Sequence, residues 1–469
     1  MSNRSARLVS RHILAIAVSL SFWLIPSGQT ETITGSGSFL NPQDGDTVVF
    51  LGDSITHQCL YTQYIEDFFY TRYPDRRIHF HAAGVGGDSA ATALARFEDD
   101  VAAQNPDIVT IYLGMNDGQY EPFNEITFAN YRNGMLKLMD RVDALGAQAV
   151  ALSPTMFDHH QKALRSTDDT FRFKDQKVDP HYNALMSFYG AWLRETAGTR
   201  QTPFVNLWGS LNDITFQQRR IEPNFSVIED SIHPGAAGHF IMAFSILSES
   251  KQERTAASAV TIVKRGKKWT ALKNANISEL EHSENGDKIS FTFLARSLPW
   301  VVPDAMSKEP LKWGPSAPAS LGYELTKAGH KLSAERLRIT GLPAGQYELT
   351  IDDVIIGEFS HLSLGAKVEL QNFSDTPQSQ QSLKVALLNQ EKNDEIIRPM
   401  RDLWGRVKGL RKKLEPNEFE KKFAPIKEQI DELHRLAAEY ENRIYAAAQP
   451  VPRKYQIRRV PTQAATGNR

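Results

Sequence analysis

Between Asp46 and Glu253, short apolar runs alternate with longer amphipathic stretches, and this alternation constrains the fold more than any other feature of the 469-residue chain. The runs at 47–51, 77–82, 108–113, 149–152 and 204–207 are nearly continuous in apolar residues. Strands of that kind are covered on both faces. The stretches between and after them, at 61–70, 90–103, 127–145, 182–197 and 236–248, have helical length and spacing. Strand and helix taken in turn predict an α/β domain, a parallel sheet with helices on both sides. Such sheets carry their sites at the carboxyl ends of the strands.

Near Thr255 the pattern changes. Residues 258–370 show shorter alternations and turn signals, among them Asn285-Gly286, Pro343-Ala344-Gly345 and Asp352-Asp353. The runs at 260–263, 289–294, 336–339, 347–351 and 354–359 read as strands, and the last two as a hairpin about Asp352-Asp353. From about Thr376 to Ala448 the chain is helical again, with Leu388, Ile396, Leu403, Phe423, Ile430 and Leu433 as its apolar contacts. The segment after Pro450 is basic and reads as a mobile tail. The expected organisation is a leader at 1–28, an α/β domain at 30–255, a small β-rich unit at 256–372, a helical segment at 373–449 and a flexible basic tail at 450–469.

Composition excludes several classes. The chain is 41% hydrophobic and 23% charged, which is the balance of a soluble globular protein. A net charge of −1 supplies no basic field for nucleic acid. The single cysteine, Cys59, rules out an intrachain disulfide and a Cys-rich zinc site, and reads as a buried, inert thiol. Arg4, Arg7 and Arg11 precede an apolar run at 13–24, and small or polar residues follow from Pro26 to Thr30. That is the order of a secretory signal peptide, in a run shorter than the roughly 20 residues of a bilayer span. The expectation is a secreted or periplasmic protein with no membrane insertion once the leader is removed. An uncleaved anchor is the competing reading.

Three strand ends and one later loop carry groups with chemistry. The first strand runs into Gly52-Asp53-Ser54-Ile55-Thr56. A serine between strand and helix is either a helix N-cap or a nucleophile whose own N–H faces developing negative charge. The second strand runs into Gly84-Val85-Gly86-Gly87-Asp88-Ser89, either a plain turn or a loop that brings backbone N–H groups close to a ligand. Its spacing is not that of a dinucleotide fingerprint. The third strand ends in Leu113-Gly114-Met115-Asn116-Asp117, where Asn116 is either a turn residue or an amide donor to an oxyanion. Asp230-Ser231-Ile232-His233-Pro234 is either a surface turn or an acid–base pair, with Asp230 fixing the His233 tautomer.

Together the four segments resemble the conserved blocks of the SGNH/GDSL hydrolases, in that family's order. Gly52-Asp53-Ser54 is similar to its nucleophile block, Gly87 to its oxyanion glycine, Gly114-x-Asn116-Asp117 to its asparagine block, and Asp230-x-x-His233-Pro234 to its acid–base block. The resemblance covers about residues 46–250. It implies a three-layer flavodoxin-like fold and ester hydrolysis without metal or cofactor. By the same resemblance Ser54, Asp230 and His233 are the catalytic triad, and Ser54, Gly87 and Asn116 form the oxyanion hole. One departure is Ala82-Ala83-Gly84, where the family often has an asparagine, which leaves open whether Gly86 or Gly87 is the donor. Thr56 stands where the ordinary α/β-hydrolase elbow has its second glycine.

Other features complete the reading. Asp158-His159-His160 near the fourth strand is either a solvated loop or a lining of the substrate pocket, and no third and fourth metal ligand is identifiable. Lys408, Arg411, Lys412 and Lys413 read as a solvated basic face, with a polyanion site as the alternative. The run from Leu298 to Pro303 is either core packing about Trp300 or a platform for a sugar ring. The C-terminal half resembles, more weakly, extensions on secreted members of the same family from environmental bacteria. The function expected is deacylation, of acetyl groups for example, acting on small-molecule or polysaccharide esters. Lipid acylhydrolysis and a non-catalytic carbohydrate-binding role are the alternatives.

Overall fold

The computed structural model describes residues 39–169, 175–252, 256–272, 276–303 and 316–461; the expected leader lies outside them. Strands β1 (Thr47–Gly52), β2 (His79–Gly84), β3 (Ile108–Tyr112), β4 (Gln148–Leu152) and β5 (Phe204–Val205) form one sheet. Its order is β2-β1-β3-β4-β5 and every pairing is parallel. In β1, Val48 and Phe50 enter one apolar layer while Val49 and Leu51 enter the other. Ile108 and Tyr112 against Val109 and Ile111 repeat this split in β3, as do Val150 and Leu152 against Ala149 and Ala151 in β4. An unbroken apolar run is what such two-sided burial demands.

The helices that cover the sheet are α1 (Ser54–His57), α2 (Leu60–Arg72), α3 (Ala90–Ala95), α4 (Phe97–Asp100), α5 (Glu125–Ala144), α6 (His159–Arg165), α7 (Tyr182–Arg200), α8 (Leu207–Arg219) and α9 (Ala236–Glu249). Apolar residues of α2, α8 and α9 pack on one face, those of α3, α4, α5 and α7 on the other, giving three layers. The strand order reverses at β1, and the crevice between the ends of β1 and β3 is where such sheets place a site. The helix expected over 90–103 is broken at Arg96, whose φ of −110° leaves the helical region. The buried Arg96 side chain explains the break. It bonds Asp88 at 2.8 Å, the carbonyls of Gly52 at 3.1 Å and Ala83 at 2.8 Å, and Asp100.

The rest of the chain begins with β6 (Ser258–Arg265), β7 (Lys268–Ala271), β8 (Asn276–His282) and β9 (Lys288–Leu294). There follow α10 (Ala319–Thr326), α11 (Ala328–Leu332), β10 (Glu335–Thr340), β11 (Gln346–Ile351), β12 (Val354–Ser360), α12 (His361–Ala366) and β13 (Val368–Glu369). Helices α13 (Pro377–Lys392), α14 (Arg398–Lys413) and α15 (Pro416–Ala448) lead to a last strand, β14 (Arg453–Arg459). Two sheets, ordered β13-β10-β6-β7 and β12-β11-β14-β9-β8, share one apolar cluster. The expected hairpin joins β11 to β12, and Asp352 and Asp353 both take positive φ, 49° and 66°, as a tight two-residue turn requires.

One expectation needs correcting, and one open choice is decided. The segment from 450 onward is not a mobile tail through Arg459, because β14 lies inside a sheet, paired with β11 and with β9. Tyr455 and Ile457 alternate with Lys454, Gln456 and Arg458, so one face is buried while the basic residues supply the other. The Leu298–Pro303 run takes the core-packing reading rather than that of a sugar platform. Trp300 is buried, stacks on Phe240 at 4.8 Å between centroids and meets Phe68 edge-on at 5.4 Å.

The C-terminal helices close the α/β layer. All thirteen residues of α2 are buried, including its polar face. Lys392 of α13 pairs with Glu66 at 2.9 Å, and Asn389 donates to Asp67 at 2.8 Å. The outer edge of β2 is covered as well. The Tyr445 hydroxyl accepts from the Ile78 N–H at 2.6 Å and donates to the Ile78 carbonyl at 3.0 Å. Among the described residues no helix is long and apolar enough to cross a membrane.

Candidate active site

Chain direction brings the four sequence segments to one rim. Ser54 is the first residue of α1, directly after β1 and the capping residue Asp53, whose carboxylate accepts from the Ile55 N–H at 2.9 Å. Helix α1 lies hard against the end of β2. A Cβ on Gly84 would sit 2.3 Å from the His57 nitrogen, so a glycine is needed there. The half-buried Ser54 hydroxyl is 2.9 Å from His233 Nε2. His233 Nδ1 is 2.7 Å from Asp230 Oδ2, and the other Asp230 oxygen accepts from the N–H groups of Ile232 and His233. A carboxylate only accepts, so the proton sits on Nδ1 and Nε2 is left to accept from Ser54.

The loop carrying Asp230 and His233 is held from outside. The Asp158 N–H donates to the Ser231 carbonyl at 2.9 Å, and the Asp158 carboxylate accepts from Arg219 and from Ser226 Oγ, both at 2.6 Å. Asp158 is therefore a buried anchor rather than a solvated loop residue, which sequence reading missed. Its neighbours His159 and His160 are half-buried and exposed, and among the described residues no His, Cys, Asp and Glu side chains group as a metal site.

Gly87 has a φ of +69°, in the left-handed region that favours glycine. The Gly86 N–H donates to His57 Nδ1 at 3.3 Å, whereas the Gly87 N–H has no protein acceptor among the described residues. Asn116, just past β3, is on the same rim, but its amide is engaged. Nδ2 donates to the Asp88 carbonyl at 3.0 Å and to Asp53 Oδ2 at 3.3 Å, while Oδ1 accepts from the Tyr120 hydroxyl at 3.3 Å. Two further carboxyls stand behind this rim. Burial pushes Asp53 up to about 7, and does the same for Asp117, whose Oδ1 accepts from the Ala90 N–H at 2.9 Å.

The basic run on α14 also differs from expectation. Lys408 reaches the Gly86 carbonyl at 2.9 Å and Asp88 at 2.8 Å, and Arg411 pairs with Asp99 at 2.7 Å; only Lys412 and Lys413 are exposed. Acceptors distant in sequence, and so invisible to local pattern, draw two of the four charges inward. Cys59 is buried as expected, and burial raises its thiol to about 11.

Residues 50–241 match the GDSL-like lipase/acylhydrolase family. Over 227 residues the chain is 26% identical to an acetylxylan esterase of Geobacillus stearothermophilus, covering 44% of this chain and 94% of that protein. Along 91% of its length it resembles the solved structure of a gut microbial diltiazem-metabolizing enzyme, with a TM-score of 0.76, 25% identity and all of that chain covered.

Proposed function

Since the chain belongs to the GDSL-like lipase/acylhydrolase family and is a serine ester hydrolase, we propose that Ser54, His233 and Asp230 are its triad and that it removes short acyl groups, acetyl above all, from carbohydrate. The observation that carries this reading is the continuous hydrogen-bonded chain from Ser54 Oγ through His233 to Asp230, at 2.9 and 2.7 Å. His233 takes the hydroxyl proton as Ser54 Oγ bonds to the ester carbon, and returns it to the departing alcohol. Water then attacks the acyl-Ser54, gives its proton to His233, and the acid leaves as Ser54 regains its hydrogen.

The N–H groups of Ser54 and Gly87 meet the negative oxygen of each tetrahedral intermediate. Asn116 adds a third donor by giving up its long bond to Asp53. The choice of Gly87 over Gly86 is supported by the bond that the Gly86 N–H already makes to His57. Acetyl-carbohydrate as substrate is supported by the likeness to an acetylxylan esterase across the α/β part. Export is part of the same proposal and rests on the arginine-led apolar run at the N-terminus.

Ser54→Ala is expected to lower kcat by about 10³-fold or more with the fold retained, and Asn116→Ala by about 10²-fold with little change in KM. The assay is hydrolysis of p-nitrophenyl acetate and palmitate beside acetylated xylan. Near-wild-type turnover by Ser54→Ala sinks the triad, and a preference for palmitate sinks the acetyl reading.

A further inference from the structure

We propose that Lys408, from the helical extension, is a positioning residue for the Gly87 N–H and so makes α14 part of the catalytic apparatus; this rests on the oxyanion role just assigned to Gly87. The peptide joining Gly86 to Gly87 has one polar group on each side. A trans peptide is planar, with its carbonyl and N–H pointing in opposite directions. Lys408 Nζ lies 2.9 Å from that carbonyl oxygen and 2.8 Å from Asp88 Oδ1. Clamping the carbonyl on the α14 side turns the N–H of the same peptide away from α14. An ammonium on the carbonyl also draws electron density from the amide, which makes its N–H a stronger donor.

The clamp has work to do because a glycine flanks this peptide on each side, and glycine resists rotation of a peptide plane least. The preceding peptide is held from the same helix. The Gly86 N–H donates to His57 Nδ1 at 3.3 Å, which leaves the ring proton on Nε2, 3.3 Å from Asp402 Oδ1. Val85 is fully buried among Met400, Trp404 and Val407 of α14, which seats the loop on the helix. Both polar groups of Gly86 are thus fixed, directly or through His57, by side chains of α14.

The test is steady-state kinetics on the full chain with p-nitrophenyl acetate, alongside affinity for a boronic acid that forms an anionic tetrahedral adduct on Ser54. Lys408→Met is expected to lower kcat about 10- to 100-fold, less than loss of the donor itself, with KM within about twofold. Boronate affinity should fall in proportion to kcat. Lys408→Arg should recover most of both, and Lys412→Met, on the exposed face, should match wild type. If Lys408→Met does not fold, Lys408→Gln keeps a donor without the charge and should show a smaller loss of the same kind. Unchanged kcat in Lys408→Met, a loss carried by KM, or a loss that Lys408→Arg does not relieve overturns the proposal. Ser54→Ala in the same assay separates the two readings: if it is inactive while Lys408→Met is unaffected, only the role of Lys408 falls, whereas activity in Ser54→Ala removes the site itself.

Discussion

Glu335, at the start of β10, is a carboxyl enclosed on all sides in the β-rich part. Burial pushes it up to about 7, and the hydrogen bond from Ser258 at 3.2 Å offsets only part of the rise. The unfolded chain releases this proton near the ordinary 4.5, so between pH 4.5 and 7 the folded state holds a proton that the unfolded state has lost. Stability contributed by this group is therefore complete below about pH 4.5 and declines as pH rises toward 7, by an amount on the order of 3 kcal/mol. Glu335→Gln should gain stability relative to wild type over that range and then run parallel above it. Urea melts from pH 4.5 to 8 measure the difference, and two parallel curves throughout would refute the assignment. Single residues differ sharply in how legible they are. Ser54 and His233 have plain structural readings when taken singly, and stand out only through the resemblance of all four segments to a family pattern. Asp158 does not, because its partners Arg219 and Ser226 are 61 and 68 residues away.

Among the elements, α2 carries the clearest consequence of packing. Its sequence reads as an outer-layer helix with a polar face, yet Gln63, Glu66, Asp67 and Thr71 are all buried. Helix α13 meets that face with matching polar groups, Lys392 on Glu66 and Tyr70, and Asn389 on Asp67. Buried charges of this kind are costly when one partner is removed. Lys392→Met should destabilise the protein by about 3–5 kcal/mol by leaving Glu66 buried without its counter-charge, and adding Glu66→Leu should restore most of the loss. A denaturant series on the single and double variants checks this; a cost below about 1 kcal/mol for the single change would show that water reaches the pair. The helical character of α13 to α15 was readable from apolar spacing. Their docking face was not, because the charges that dock them read locally as solvent-facing.

For the whole molecule, the decisive element is the last one. β14 separates β11 from β9, and its Tyr455 and Ile457 complete the cluster shared by the two sheets. Ending the chain at Gln449 would leave both neighbours with an unpaired edge and open that cluster. Such a truncation is expected to abolish soluble, cooperatively folding protein, while ending at Pro461 keeps β14 entire and should melt as the full chain does. Expression yield and calorimetry decide it, and a stable, monomeric product ending at Gln449 would mean that the sheets stand without their central strand.

The family resemblance alone implied that Asp230 and His233 join the site; the sequence by itself determined the parallel sheet, the rim shared by the strand ends that lead to Ser54, Gly87 and Asn116, and the hairpin at Asp352-Asp353. These follow from local pattern, since two-sided burial imposes unbroken apolar runs, parallel strands put their carboxyl ends on one rim, and tight turns impose positive φ. Tertiary structure alone decided the break at Arg96, the burial of the α2 polar face, the seating of α14 on the Gly86–Gly87 loop and the place of β14. Each depends on a charged or polar group whose partner lies far along the chain. A charge reads the same in sequence whether water or a distant carboxylate will satisfy it, and only folding brings the two together.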